Sequence, residues 1–274
     1  MTLTRRLLLF LVVVNLSASA FAQVAAPPAT LTPAEMETFL LTARIERFQS
    51  AGDGITNSRR ATLTDGRITH DAHIQTVDES KAIFETPRGV ELNFKDTYRY
   101  NIAGYRLARL LGIDNVPVCV GRDVQGLPAS VMWWADGVVM DEGDRTKQQA
   151  TDPNSQRMAS NIHLMRVFDE LIKNTDRNLG NLLWKADWTM VLIDHTRAFR
   201  LGADLRSPMR LERIDRALFQ KLRELTPEAL TEAVGDSLNR QEIEGVVARR
   251  GVIVKLFEDR IAQRGEAAVL YTRR

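Results

Sequence analysis

With one cysteine in 274 residues, Cys119, the chain can form no internal disulfide, so its core alone must hold the fold. Cys119 lies in Val116-Pro117-Val118-Cys119-Val120, an apolar stretch that suits a buried thiol better than a nucleophile. Charge of one sign is also lacking: 37 Lys and Arg face 35 Asp and Glu, a net charge of +2 that leaves no footprint for nucleic acid. The one conspicuous apolar run, Leu7 to Val14, falls well short of the ~20 residues of a membrane-spanning helix. There is no internal repeat, which excludes a solenoid. Gly-x-Ser-x-Gly is absent, so no hydrolase nucleophile elbow can be assigned, and so is Gly-x-Gly-x-x-Gly. What is present is globular: 44% hydrophobic and 26% charged residues, in a chain long enough for one two-lobed domain or two small ones.

The start reads as a secretory signal peptide. Arg5 and Arg6 precede the apolar run, and Ala20-Phe21-Ala22 supplies small residues for cleavage after Ala22. Loss of residues 1–22 removes those two arginines and leaves 35 basic against 35 acidic residues. The expected location is periplasmic or secreted, with no transmembrane segment after cleavage. Gln23 to Leu31 is an Ala/Pro linker.

Thr32-Pro33-Ala34-Glu35 gives an N-cap, a proline in the first turn and an acidic residue, predicting a helix to about Gln49. Asp65-Gly66 between β-prone runs predicts a hairpin. Further strands are expected at Ala82 to Glu85 and Val90 to Phe94. A helix capped by Asp96 follows, with Tyr98, Ile102, Tyr105 and Leu110 on its buried stripe and Gly112 closing it. Val116 to Arg122 and Leu127 to Trp134 flank a turn at Gln125-Gly126 and complete a small antiparallel sheet. From Pro153 the composition turns to helix formers. Ile162, Met165, Phe168, Leu171 and Ile172 mark an amphipathic helix ending at Asn174, a strand pair follows at Leu182 to Trp184 and Met190 to Ile193, and Met209 to Ala268 reads as three or four helices.

The chemistry concentrates in Asn174-Thr175-Asp176-Arg177-Asn178-Leu179-Gly180-Asn181 and Ile193-Asp194-His195-Thr196-Arg197-Ala198-Phe199. Asp176 and Asn181 stand five apart in a polar loop after a helix, and Asp194 ends an apolar strand. A D-x-x-x-x-N loop, a short hairpin and a strand-terminal Asp is the layout used for phosphoryl transfer from ATP. The loop carboxylate takes the proton of an acceptor hydroxyl, while the Asn oxygen and second carboxylate suit a hard cation such as Mg2+ or Mn2+ on the phosphates. Taken singly, Asp and Asn in such loops serve as turn formers.

These two segments resemble the catalytic loop and metal-binding segment of atypical kinases, the group of phosphoinositide kinases, HipA and secretory-pathway kinases. The stretch Tyr98-Arg99-Tyr100-Asn101-Ile102-Ala103-Gly104-Tyr105 onward to Val116-Pro117 resembles the small-lobe helix and following strand of that group. The likeness extends from about Gly52 to Phe199. It implies an α+β, two-lobed kinase-like fold: a small mixed antiparallel-sheet lobe over 32–134 and a mainly helical large lobe over 135–274. It further implies nucleotide between the lobes, Asp176 as catalytic base and Asn181 and Asp194 as metal ligands.

The chain departs from the pattern on the sheet side. The family's phosphate-binding Lys and its partner Glu are matched here by Gln75 and Asn101, a joint loss of charge in which two amides can bond instead. Lys81 and Lys95 are candidate replacements, with Glu91 or Asp96 as partner. Gly52, Gly54 and Thr56 could let backbone amides approach phosphates. His70 and His73 point to opposite faces of a strand, against a shared metal. Trp133-Trp134 is expected in the core at a lobe edge, and Asp141, Glu142 and Asp144 in a solvated acidic turn. His195 is a candidate for a hydrogen bond across the site. The expected function is an exported ATP- and metal-dependent phosphotransferase acting on an acceptor of unread class (protein, lipid, sugar or small molecule). The alternatives are a pseudokinase that binds or scaffolds, and nucleotidyl transfer on the same fold.

Overall fold

Thr32 opens the first helix, α1 (Pro33–Thr42), through a capping box: its hydroxyl accepts from the Glu35 N–H (3.3 Å) and the Glu35 carboxylate takes the Thr32 N–H (2.7 Å). The computed structural model describes residues 31–50, 58–86 and 89–273. The signal peptide, the linker up to Thr30, and Gly52, Gly54 and Thr56 lie outside the described residues. Thr32–Arg274 forms one compact unit.

The helix α1 stops at Thr42 rather than near Gln49. Ala43 turns the backbone to an extended conformation, and β1 (Arg44–Ser50) pairs antiparallel with β2 (Arg59–Thr64). The apolar residues Ile45 and Phe48 were too sparse for a helical stripe, and ladder bonds with β2 satisfy the backbone instead. The Asp65-Gly66 hairpin leads into β3 (Thr69–Gln75). Asp65 Oδ1 accepts the N–H groups of Arg67 and Ile68 (2.8 and 2.7 Å), and Gly66 takes φ +87°. Next come β4 (Asp78–Thr86), β5 (Gly89–Thr97) and α2 (Arg99–Leu110), which Gly112 closes at φ +69°. Asp96 does not cap α2: it lies within β5, and the Thr97 hydroxyl accepts the Arg99 N–H instead (3.3 Å). A hairpin with Gln125 and Gly126 both at positive φ joins β6 (Cys119–Val124) to β7 (Leu127–Trp133).

The main sheet runs β1-β2-β3-β7-β6, antiparallel throughout, with α1 and α2 packed against β6 and β7. The pair β4-β5 is a separate two-stranded ribbon and not part of that sheet. Cys119 is free and buried, as expected, and burial pushes its thiol far up from its ordinary value.

The second half begins with β8 (Val138–Asp141) and α3 (Glu142–Gln148), where a solvated acidic turn was expected. Asp141 caps α3 by accepting the Asp144 N–H (2.7 Å), and Glu142 takes two bonds from Arg145 and one from the indole of fully buried Trp184 (2.8 Å). The long helix α4 (Ser155–Ile172) leads to β9 (Leu182–Lys185) and β10 (Met190–Leu192), in a sheet of order β10-β9-β8. The remainder is helical: β11 (Ile214–Asp215), α5 (Arg216–Glu224), α6 (Pro227–Val234), α7 (Arg240–Arg264), α8 (Glu266–Val269) and β12 (Leu270–Tyr271). Val167, Phe168 and Leu171 of α4 and Val246, Ile253 and Phe257 of α7 are buried where the two helices pack. Each such side chain contributes about 1.5 to 3 kcal/mol of hydrophobic stabilisation. Arg249 of α7 is fully buried and donates to the carbonyls of Leu171 (2.8 Å), Arg200 (2.8 Å) and Gly202 (2.6 Å), so α7 pins the start of the polar loop and the segment after Phe199.

Candidate functional site

The loop after α4 is shaped by its own asparagines. Lys173 ends the helix in a left-handed conformation, the Asn174 side chain accepts the Asp176 N–H (3.0 Å), and Asn178 Oδ1 accepts the Asn181 N–H (3.2 Å). Asn174 and Asn178 are therefore the turn formers of this loop. Asp176, freed from that task, is exposed.

Backbone pairing then joins the two ends of the hairpin. Ile193 donates its N–H to the Asn181 carbonyl (3.2 Å), which brings Asn181 beside the residue preceding Asp194. Arg177 holds the junction from behind: it pairs with Asp169 of α4 (3.0 Å) and donates to the carbonyls of Asn181 (3.2 Å) and Ile193 (2.5 Å). Nothing in the local pattern distinguished this arginine, because two of its partners, Asp169 and Ile193, lie eight residues before and sixteen after it.

Asp194 sits at φ +55°, in the left-handed region that Asp tolerates better than most residues. One oxygen, Oδ1, accepts the Thr196 N–H (3.4 Å) and hydroxyl (3.0 Å). Among the described residues no hydrogen bond reaches Asp194 Oδ2 or the Asn181 side-chain oxygen, whose amide nitrogen donates to the Asp176 carbonyl (3.4 Å). The backbone junction thus joins the segment bearing Asp194 to the loop that bears Asn181 and Asp176, so a carboxylate and an amide oxygen come from neighbouring points of the chain. These hard oxygens fit Mg2+ or Mn2+, which take one or two carboxylates and complete their shell with water and phosphate. Among the described residues no three His, Cys, Asp or Glu side chains form a ready-made metal cage.

On the sheet side, Gln75 and Asn101 are 3% and 1% exposed. Gln75 lies opposite Ser130 in the ladder, and its Oε1 accepts the N–H groups of Thr76 and Val77 (2.9 and 3.0 Å). Asn101 donates to the Ser130 hydroxyl (3.4 Å) and accepts the backbone N–H of His195 (2.8 Å). Asn101 therefore meets Ser130, the ladder partner of Gln75, and steadies the residue next to Asp194. The two candidate lysines do not adopt the expected partners. Lys81 pairs with Glu79 (2.9 Å), and Lys95 with the buried Glu242 of α7 (2.6 Å). Glu91 instead pairs with Arg197 (2.7 Å) and Arg200, and Arg197 also reaches toward Asp176 (3.7 Å).

Three histidines resolve differently. His70 stacks on Trp133 and bonds Asp136 (2.9 Å). His73 lies near enough to Asp194 for that charge to act on it, although burial outweighs this and lowers its pKa. His195 makes no bond across the site: both ring nitrogens are buried without a partner. Burial, followed by the Arg177 charge, holds His195 well below its ordinary value, so it is a neutral ring packed under Gly104, where a Cβ would meet it at 3.2 Å.

Asp96 was assigned as a cap and belongs here instead. Thr97 donates its N–H to the Thr196 carbonyl (3.0 Å), which lays the end of β5 against the Asp194 segment. Burial raises the Asp96 pKa. The Thr196 hydroxyl acts against that rise and the Asp194 charge adds to it.

No family model and no curated protein matches the chain in sequence. Solved structures do match its shape. Hydra Fam20, solved with sugar, superposes with a TM-score of 0.68 at 13% identity over 87% of this chain and 92% of its own. The Golgi casein kinase matches with a TM-score of 0.62 at 16% identity, covering 88% of this chain and 80% of that one, and so does its form with Mn/ADP bound. These neighbours stand in the secretory-kinase branch of the resemblance and do not bear on the phosphoinositide-kinase or HipA branches. What the chain shares with them is an α+β kinase-like fold, with an antiparallel sheet on one side and helices on the other.

Proposed function

We propose that this protein is an exported, ATP-dependent and divalent-metal-dependent phosphotransferase. The observation that carries the reading is the backbone junction of Ile193 and Asn181, which joins the segment bearing Asp194 to the loop bearing Asp176 and Asn181. That this arrangement occurs on the fold of a kinase solved with Mn/ADP supports it. In this reading nucleotide lies between a sheet lobe over 32–134 and a helical lobe over 135–274. The metal, Mg2+ or Mn2+, neutralises charge on the phosphates. Asp194 and Asn181 hold it, and Asp176 takes the proton of the acceptor hydroxyl as that oxygen bonds to the γ-phosphorus and ADP leaves. Gly52, Gly54 and Thr56 are the proposed backbone contacts to phosphate. Gln75 and Asn101, in place of the family's charged pair, shape the site from beneath. The sequence start, read as a signal peptide cleaved after Ala22, assigns the protein to the periplasm or the medium.

The buried, uncharged Gln75 and Asn101 favour a second reading, a pseudokinase that binds nucleotide or a partner without transfer. Thermal unfolding with ATP alone, metal alone and both, beside Asp194→Ala, separates the two from a chain with no nucleotide site. Saturation at ~100 times the dissociation constant adds about 2.7 kcal/mol to native-state stability. A metal-dependent rise in midpoint that Asp194→Ala abolishes establishes the site, and no rise at millimolar ATP overturns it. Incubation with γ-labelled and α-labelled ATP then distinguishes phosphoryl transfer, nucleotidyl transfer and binding alone.

A further inference from the structure

Resting on the nucleotide reading above, we propose that Asp96 is a further ligand of the divalent cation, entering the site from the ribbon opposite the catalytic loop. Asp96 is 9% exposed, and its Oδ1 is buried without any hydrogen-bond partner. A buried carboxylate oxygen left unpaired is costly unless something absent from the protein itself completes it. The backbone bond from Thr97 to Thr196 fixes Asp96 beside the segment whose first residue is Asp194, and Thr196 lies between the two carboxylates.

The surrounding charges point to a cation. Asp96 lies within reach of the charges of Asp194, Glu79 and Arg197, Arg197 is shared with Glu91 and Asp176, and Arg200 is paired with Glu91. No lysine offsets Asp96: Lys95, next to it on the strand, is committed to Glu242, and Lys81 to Glu79. Excess negative charge on hard oxygens, part of it buried, suits a small divalent ion rather than an anion or a soft metal. Asp96 then supplies from the sheet side a charge that Gln75 and Asn101 do not. The site would be closed by two carboxylates, the Asn181 oxygen and the phosphates.

The test is Mn2+ binding by electron paramagnetic resonance, with and without ADP, on purified wild type, Asp96→Asn and Asp194→Asn, with urea unfolding of each in EDTA. The expected result is at least a tenfold loss of Mn2+ affinity in Asp96→Asn, together with stability in EDTA equal to or above wild type, because the unpaired charge is gone. Wild-type affinity retained within twofold in Asp96→Asn, while Asp194→Asn loses it, overturns this inference and leaves the nucleotide reading standing. Failure of the wild type to take up Mn2+ even with ADP overturns both. An Asp96→Asn protein that does not fold in EDTA marks a structural role and overturns the ligand assignment.

Discussion

Asp176, Asn181 and Asp194 come from one short stretch of chain, whereas Gln75, Asn101 and Asp96 come from β3, α2 and β5 and meet the loop only through the tertiary fold. The loop side keeps the carboxylates of Asp176 and Asp194 exposed, with Asp194 at φ +55°, and buries Asn181 behind them. The sheet side holds its two amides below the surface, Gln75 on the Thr76 and Val77 N–H groups and Asn101 in a chain from Ser130 to the His195 backbone. In the proposed reading one side carries the chemistry and the other supports it, with Gln75 and Asn101 in the place of a kinase's charged pair. The contrast teaches that an uncharged residue, Asn101, can hold the segment bearing Asp194 through a bond to the His195 backbone.

Removing Arg177 breaks the loop side most severely. It is nine-tenths buried, paired with Asp169 and bonded to both carbonyls that align Asn181 with Asp194. Arg177→Met leaves Asp169 with only the Asn174 amide as a side-chain donor (3.4 Å) and leaves the Asn181 and Ile193 carbonyls with fewer donors. The expected loss is about 3 to 5 kcal/mol in urea unfolding, with Mn2+ and nucleotide binding weakened in whatever fraction remains folded. A loss below about 1 kcal/mol would mean that the hairpin pairs its ends without the clamp.

The same contrast explains what the sequence made legible. The loop, hairpin and strand-end Asp could be read because their spacing is local, and Asp65-Gly66, Gln125-Gly126 and Gly112 because a positive φ in a tight turn selects few residue types. The end of α1 at Thr42 was hidden, since a sparse apolar stripe over 36–45 resembles a helix until β2 offers a partner. Asp96 looked like a cap because it lies just before α2, and only the β5 register with β4 places it in a strand. The acidic run at 141–144 looked solvated because the indole and guanidinium that use Glu142 come from Trp184 and from Arg145 once α3 has formed. Several of these misses concern a partner distant in sequence, as with β2 for β1, Trp184 for Glu142 and, farthest, Glu242 for Lys95.

Restoring charge on the sheet side sharpens the comparison with a smaller effect. Gln75→Lys or Asn101→Glu alone buries an unpaired charge, and Asn101→Glu also disturbs the acceptor of the His195 N–H. Each single variant should lose about 2 to 4 kcal/mol. If the two positions face one another as the charged pair of a kinase does, the double variant recovers about 1 to 3 kcal/mol of the summed loss, a coupling read directly from a double-mutant cycle. Additive losses would show that Ser130 separates the two side chains and that the amide network replaced the pair by a different geometry.

The smallest expected effects concern the two lysines, and they decide whether the sheet side holds a hidden phosphate ligand. Lys81 is about half exposed, pairs with exposed Glu79 and lies over the rings of Phe84 and Phe94 (5.0 and 5.8 Å), so Lys81→Met should change stability by less than about 1 kcal/mol. Lys95 pairs with Glu242, whose side chain is 4% exposed and also accepts from the Tyr100 hydroxyl (2.6 Å). Lys95→Met therefore removes one of several donors to a buried carboxylate and should cost about 1 to 2 kcal/mol. Because Lys95 is turned to α7 and away from Asp194, its loss should leave metal-dependent ATP binding within twofold of wild type once the folded fraction is taken into account. A tenfold weakening in either variant, at unchanged stability, would give the sheet side a phosphate-binding cation after all, and the division between a chemical loop and a supporting sheet would fall.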